Sequence, residues 1–154
     1  MDFEYVKRYL EKGDSDQNSA IVQSLPSRFF ERFICYGLRI ESAQPGFLVC
    51  SMKIPQRLLN TSNSLHGGAI ASIVDIVGSA VMYTLGVTSS GVSVEISVSY
   101  LGAAYLDDEV EIEAKVLRLG TFIGVSSVEL RNKIGGKIIA HGRHTKFLAV
   151  TSRI

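Results

Sequence analysis

The chain has almost no charge imbalance, few cysteines and no apolar run of membrane-spanning length. Each shortage removes a class of function. Sixteen Lys and Arg stand against 15 Asp and Glu over 154 residues, a formal net charge of +1. A protein that grips nucleic acid by neutralising many phosphates needs a basic excess, so no nucleic acid is expected as a partner. A ligand carrying a few phosphates stays open. Cys35 and Cys50 are the two cysteines. Both fall in segments that read as strands, and neither has a second Cys or His at metal-ligand spacing. They read as buried structural thiols of a reducing compartment, and spacing alone does not establish a disulfide between them. The longest apolar stretch, Ala69 to Leu85, carries Asp75 within it. It falls short of the ~20 residues of a spanning helix, and an acid at its centre is costly in lipid, so no membrane span is expected. Internal repeats and low-complexity tracts are also missing. Met1 to Lys12 mixes acids and bases with Phe3, Tyr5, Val6, Tyr9 and Leu10. That is no secretory signal, and the cytoplasm is the expected compartment. It reads as a short amphipathic helix before a polar linker, Gly13 to Ser19. A domain over residues 30–154, behind an N-terminal helical and linker segment of residues 1–29, is long enough to bury its own core.

What is present is dominated by alternation. Pro26 and Ser27 precede an expected short helix, Arg28 to Arg32. Ile34, Tyr36, Leu38 and Ile40 then alternate with Cys35, Gly37, Arg39 and Glu41, which predicts a half-buried strand. Gln44-Pro45-Gly46 predicts a turn, and Phe47 to Ile54 the returning strand of a hairpin. A polar loop, Asn60-Thr61-Ser62-Asn63-Ser64, leads through Leu65-His66-Gly67-Gly68 into an apolar helix ending at about Leu85. Asp75 apart, that helix carries no charge. A helix apolar on every side is expected to be surrounded by protein on every side. After Gly86 the chain reads as strand. Val92, Val94, Ile96, Val98 and Tyr100 alternate with Ser93, Glu95, Ser97 and Ser99, and a second strand runs over Glu109 to Val116. A third, from about Phe122 to Arg131, slips phase at Ser126-Ser127, which predicts a bulge there. A fourth covers Lys137 to Leu148. Short turns between them predict an antiparallel meander. The fold class is therefore α+β. A curled antiparallel sheet of about six strands is expected to wrap the long central helix, because only a curled sheet can bury it.

Asp75 is the outlier. Burying a carboxylate is costly unless it is paired or hydrogen-bonded. Its neighbours at three- and four-residue spacing are Ala71, Ser72, Gly78 and Ser79. All are small, which leaves room for a strand, another subunit or a substrate to come close. A general base or nucleophile in a tight cleft fits this pattern. So does a structural acid satisfied by Ser72 or Ser79, and the helix by itself does not separate the two. His66-Gly67-Gly68 stands just before the helix. A helix start presents unpaired N–H groups and the positive end of the dipole, and glycines let a ligand approach the backbone. A carbonyl oxygen gaining negative charge would be stabilised there. An ordinary glycine-rich helix start with His66 as a local cap is the alternative.

Six segments belong together: Leu65-His66-Gly67-Gly68, Val74-Asp75, Gly91-Val92-Ser93-Val94-Glu95, Asn132-Lys133, Gly136-Lys137-Ile138-Ile139-Ala140 and Gly142-Arg143-His144-Thr145-Lys146. In combination they resemble the small hotdog-fold acyl-CoA thioesterases of the phenylacetic-acid-degradation type, most of all the eukaryotic branch acting on medium and long chains. The resemblance implies the hotdog fold and hydrolysis of an acyl-CoA to free acid and CoA, with no metal or redox cofactor. It implies a homotetramer, a dimer of dimers with active sites at the dimer interface. It also implies roles. Gly67 polarises the thioester carbonyl through its N–H, and Asn60 assists, although Asn63 in the same loop offers a second amide. Asp75 activates the attacking water from across the dimer interface. Ser93 holds that water, on the polar side of its strand, with Val92 and Val94 facing the other way. His66 and Gly68 position the substrate. Arg143, His144 and Lys146 meet the nucleotide and phosphates of CoA, or else form a solvated basic strand end. Two other readings fit the same residues: a hotdog hydratase or dehydratase with His66 as base, and a non-catalytic acyl-CoA binding module. Ser152-Arg153-Ile154 is a distant variant of the peroxisomal Ser-Lys-Leu signal, which adds the peroxisome to the expected compartments.

Overall fold

A computed structural model of the chain describes residues 3–11, 19–89 and 91–148. The expected linker up to Asn18 and the Ser152-Arg153-Ile154 signal lie outside the described residues. Two compact units are present, Met1–Arg32 and Phe33–Ile154. The first holds helices α1 (Phe3–Leu10) and α2 (Ser19–Ser24), neither of which buries a residue. Helix α3 covers Phe30–Cys35. Strands β1 (Arg39–Gln44) and β2 (Phe47–Lys53) follow, then helix α4 (Gly67–Tyr83). Strands β3 (Val92–Tyr100), β4 (Glu109–Leu119), β5 (Ile123–Asn132) and β6 (Ile138–Phe147) complete the second unit. No helix among the described residues is long and apolar enough to cross a membrane.

Helix α3 is displaced from its expected position, and the first strand is shorter than its alternation predicts. Arg28 takes a left-handed φ of 62°, which no helix residue adopts, so the helix starts after it. It then runs through Cys35, which places that cysteine on a helix instead of a strand. The Arg57 guanidinium closes its end by donating to the carbonyls of Phe33 and Tyr36, both at 2.6 Å. Only from Arg39 does the chain extend. Pro45 and Gly46, the latter with φ 75°, make the expected turn to β2. Cys50 there is 1 % exposed, and burial pushes its thiol up to about 11. Such a thiol stays protonated and unreactive.

The six strands form one antiparallel sheet in the order β1-β2-β4-β5-β6-β3. Its inner face, with Met52, Ile112, Val128, Leu130 and Ile139, meets Ile70, Ile73, Val74, Val77 and Val81 of α4. A sheet curled around one long helix is the expected hotdog arrangement. The last four strands are not a simple meander, however. β4, β5 and β6 are, but β3 lies beyond β6 at the free edge, with Ile96 opposite His144. The cause is the length of α4. Its 17 residues carry the chain about 25 Å from β2 before the next strand starts. The chain then crosses back from Tyr100 to pair β4 with β2, Cys50 opposite Ile112.

Two phase expectations are corrected. No extra residue sits at Ser126-Ser127. The bulge residue is Leu117, on β4, opposite Val125 and Ser126. Ser126 stays on the core face, fully buried, because its hydroxyl donates to the Gly78 carbonyl at 2.9 Å. A serine on the core face imitates a slip. A true slip occurs in β3, where Ser93 pairs with Lys146 and Glu95 with Thr145, leaving Val94 unpaired. Ser93 therefore does not share a face with Ser97 and Ser99. It faces the helix, on the side of Ile96, Val98 and Tyr100. Nor is α4 enclosed all round: the sheet covers one side and leaves Ser72, Asp75 and Ser79 partly open on the other.

Candidate active site

The helix start is built by its cap. His66 has extended backbone, and its Nδ1 accepts the Gly68 N–H at 2.8 Å. Its carbonyl takes the N–H groups of Ala69 and Ile70 at 2.9 and 3.1 Å. These bonds leave the Gly67 N–H without an acceptor among the described residues. With Nδ1 accepting, the neutral His66 ring carries its proton on Nε2, pointing away from the cap. Gly68 must be small, since a Cβ there would lie 3.0 Å from His66 Nδ1. Tyr100, at the end of β3, donates to the Gly67 carbonyl at 3.0 Å. Its ring is so near that a Cβ on Gly67 would lie 3.3 Å from Cε1. Sequence reasoning read Tyr100 only as one more alternating apolar residue. Its ring at the end of a strand's inner face was the one signal available.

The polar loop is tied to this helix start, because His66 N–H donates to the Leu58 carbonyl at 2.8 Å. Within it Asn60 Oδ1 accepts the N–H groups of Ser62 and Ser64 at 2.9 and 3.1 Å, and Nδ2 donates to Ser64 Oγ at 3.0 Å. One Nδ2 hydrogen remains available. Asn63 is exposed at the tip of the loop with a φ of 58°. Asparagine suits that left-handed turn.

Asp75 sits two turns into α4. It is not buried as expected: its side chain is 46 % exposed, on the open side of the helix. Ser93 Oγ donates to its Oδ1 at 3.3 Å. Beneath both lies His144, fully buried on β6, with Nε2 2.8 Å from Ser93 Oγ and 3.5 Å from Asp75 Oδ1. Its Nδ1 is buried without a partner. Lys146, two residues on and facing the same way, donates to Ser79 Oγ at 2.7 Å, and Ser79 donates to the Asp75 carbonyl at 2.7 Å. Burial, then the Lys146 ammonium, hold the His144 imidazole below its usual range, while Asp75 pulls the other way. Burial likewise lowers Lys146, against the pull of Asp75 and Tyr83.

Arg143, His144 and Lys146 do not share one basic surface. Side chains alternate across a strand, so His144 and Lys146 turn under the helix while Arg143 is exposed on the opposite face. In this chain the first two are 0 % and 4 % exposed, out of reach of a phosphate in solvent.

The site thus offers a free N–H at a helix start and, further along the same helix, a half-open carboxylate held by a hydroxyl. The first can accept negative charge on a carbonyl oxygen, and the second can take a proton from water. Comparison with known proteins gives the same direction. The thioesterase superfamily model matches residues 62–139. Human acyl-coenzyme A thioesterase 13 is 38% identical over 122 residues, covering 79% of this chain and 86% of that protein. Zebrafish thioesterase superfamily member 2 superposes with a TM-score of 0.76 at 34% identity, over 86% of this chain and 94% of that one. A hypothetical thioesterase of Streptococcus pneumoniae, solved with coenzyme A, superposes with a TM-score of 0.71 at 26% identity, over 78% and 94%.

Proposed function

The chain belongs to the thioesterase superfamily, and on that premise we propose that it hydrolyses acyl-CoA thioesters to the free acid and CoA. The observation that carries this reading is the pairing of a vacant helix-start N–H at Gly67 with the Ser93-anchored carboxylate of Asp75. The thioester oxygen accepts from Gly67 N–H and from the remaining Nδ2 hydrogen of Asn60. His66 Nε2–H lines the approach. Asp75 takes a proton from water as the water oxygen bonds to the carbonyl carbon. The tetrahedral intermediate collapses, the C–S bond breaks, and the proton leaves with the CoA thiolate. His144 is a poor candidate for the base, since a second proton would place an N–H at the buried, partnerless Nδ1.

A single chain does not complete this site. Gly67 and Asp75 are eight residues apart on one helix, which is about 12 Å along its axis. The attacking water must come within ~3.5 Å of the carbonyl carbon. We therefore read the Gly67 of one chain as working with the Asp75 of another. β3 supports such a pair. Among the described residues it is hydrogen-bonded on one side only, by β6, and its Val92 and Val94 are 60% and 62% exposed. An unpaired apolar edge invites another strand. A second copy added antiparallel about a two-fold axis would lay the two helices side by side and antiparallel, each Gly67 facing the other chain's Asp75.

Release of free CoA thiol from short, long and aromatic acyl-CoAs tests the activity. Turnover of any of them is the expected result. A folded, oligomeric protein that releases no thiol, but consumes an enoyl-CoA or binds acyl-CoA unchanged, overturns it. The shared site has its own test in Val94→Asp. A charge on the exposed edge should leave the single-chain fold intact and weaken association at least about tenfold. Thiol release per chain should fall in step as light scattering shows monomer. A monomer that keeps full turnover contradicts the shared site.

A further inference from the structure

We propose that Lys146 is a positioning residue of this site: its buried ammonium keeps the imidazole of His144 neutral, so that Nε2–H donates to Ser93 and Ser93 donates to Asp75. The proposal rests on Asp75 being the base. Lys146 is only 4 % exposed, and its one hydrogen-bond partner among the described residues is the Ser79 hydroxyl at 2.7 Å. Among the described residues no carboxylate lies within ion-pair distance of it. Burying an ammonium on those terms is unfavourable, and a methionine would fill the space with less loss. Stability alone therefore gives no reason for a lysine here.

Its location does. Lys146 and His144 are alternate residues of β6 on the same face, about 7 Å apart along the strand. The groups that meet His144 come from three other elements: Asp75 from α4, Ser93 from β3 and Ser126 from β5. Tyr83 of α4 acts on Lys146. Among the described residues Asp75 is thus the one acid facing the imidazole, and it favours a proton there. A protonated His144 would pair with Asp75 at 3.5 Å and compete for the carboxylate that must take a proton from water. Lys146 opposes that step from below. The buried Nδ1 opposes it too, because an N–H at that atom finds no acceptor. Burial and the Lys146 charge both act to hold the imidazole below its ordinary value.

The direct test is an NMR titration of the His144 ring, which needs no turnover. In the unaltered protein the ring should stay neutral below its ordinary value of 6.5. A ring that titrates at or above that value overturns the proposal with no variant needed. In Lys146→Gln and Lys146→Met the midpoint should rise by roughly one pH unit, and the acid limb of the kcat/KM profile should move up with it. Lys146→Arg should restore both. Folded neutral variants whose ring titrates as before also overturn it. Absence of thiol release alongside the expected titration would instead remove the hydrolase reading and leave the electrostatics standing.

Discussion

Asp75→Asn is expected to lower kcat for acyl-CoA hydrolysis by roughly 10²- to 10⁴-fold, the usual contribution of a positioned general base, with the fold retained. The amide matches the carboxylate in shape, and its Oδ1 can still accept from Ser93, now at 3.3 Å. His144, the fully buried partner of Asp75, keeps its 2.8 Å bond to Ser93 Oγ when the charge is removed, and Asp75 itself is 46 % exposed. What disappears is the capacity to accept a proton from water. The loss should therefore fall on kcat and leave KM nearly unchanged, since the reading places the carboxylate on the water and not on the bound acyl-CoA. Steady-state thiol release at saturating substrate, with circular dichroism and melting run in parallel, checks both halves. An Asn variant keeping more than a tenth of the turnover would remove Asp75 from the role of base. A large rise in KM with kcat intact would make it a binding group.

Much of the fold is legible in the sequence because it follows from local pattern. Two strands, a long apolar helix and further alternating segments leave few ways to bury Val74, Val77 and Val81 except inside a curled sheet. The misreadings have one physical source. Strand phase is local only until a bulge intervenes, and a bulge is fixed by the partner strand. Alternation assigns Ser93 to the side of Ser97 and Ser99, yet Val94 is unpaired and Ser93 turns toward Asp75. The same lack of partner information hides the place of β3 at the sheet edge, and with it the open side of α4. In the site, His66, Gly67 and Asp75 stand out because glycines at a helix start and an acid in an apolar helix are each locally anomalous. His144 and Lys146 do not stand out. Beside Arg143 they look like a basic strand end, and only their sharing a face with the inward-facing Gly142 distinguishes two buried side chains from an exposed one.

Gly142→Ala should lift the central helix from the sheet and damage both stability and activity. A Cβ there would lie 2.7 and 2.8 Å from the two γ carbons of Val74 and 3.3 Å from the Ser97 carbonyl. Neither neighbour yields easily: Val74 is β-branched and held by its helix, and Ser97 lies in the paired backbone of β3 opposite Arg143. The helix must lift. Overpacking of this kind costs about 1–3 kcal/mol, on the order of 5 °C in Tm for a chain of this size. Activity should suffer beyond that, because Val74 adjoins Asp75 while Ser93 and His144 stay with the sheet. A displacement of about 1 Å in that geometry can remove up to ~10²-fold of the rate. The control is Val74→Ala in the same background, which vacates the volume the new methyl group needs. If the clash is the cause, the double variant is more stable than the two single losses summed, by about 0.5–3 kcal/mol, and recovers turnover. Additive losses would mean that Gly142 is needed for its backbone, and that the helix does not owe its closeness to the sheet to this one missing side chain.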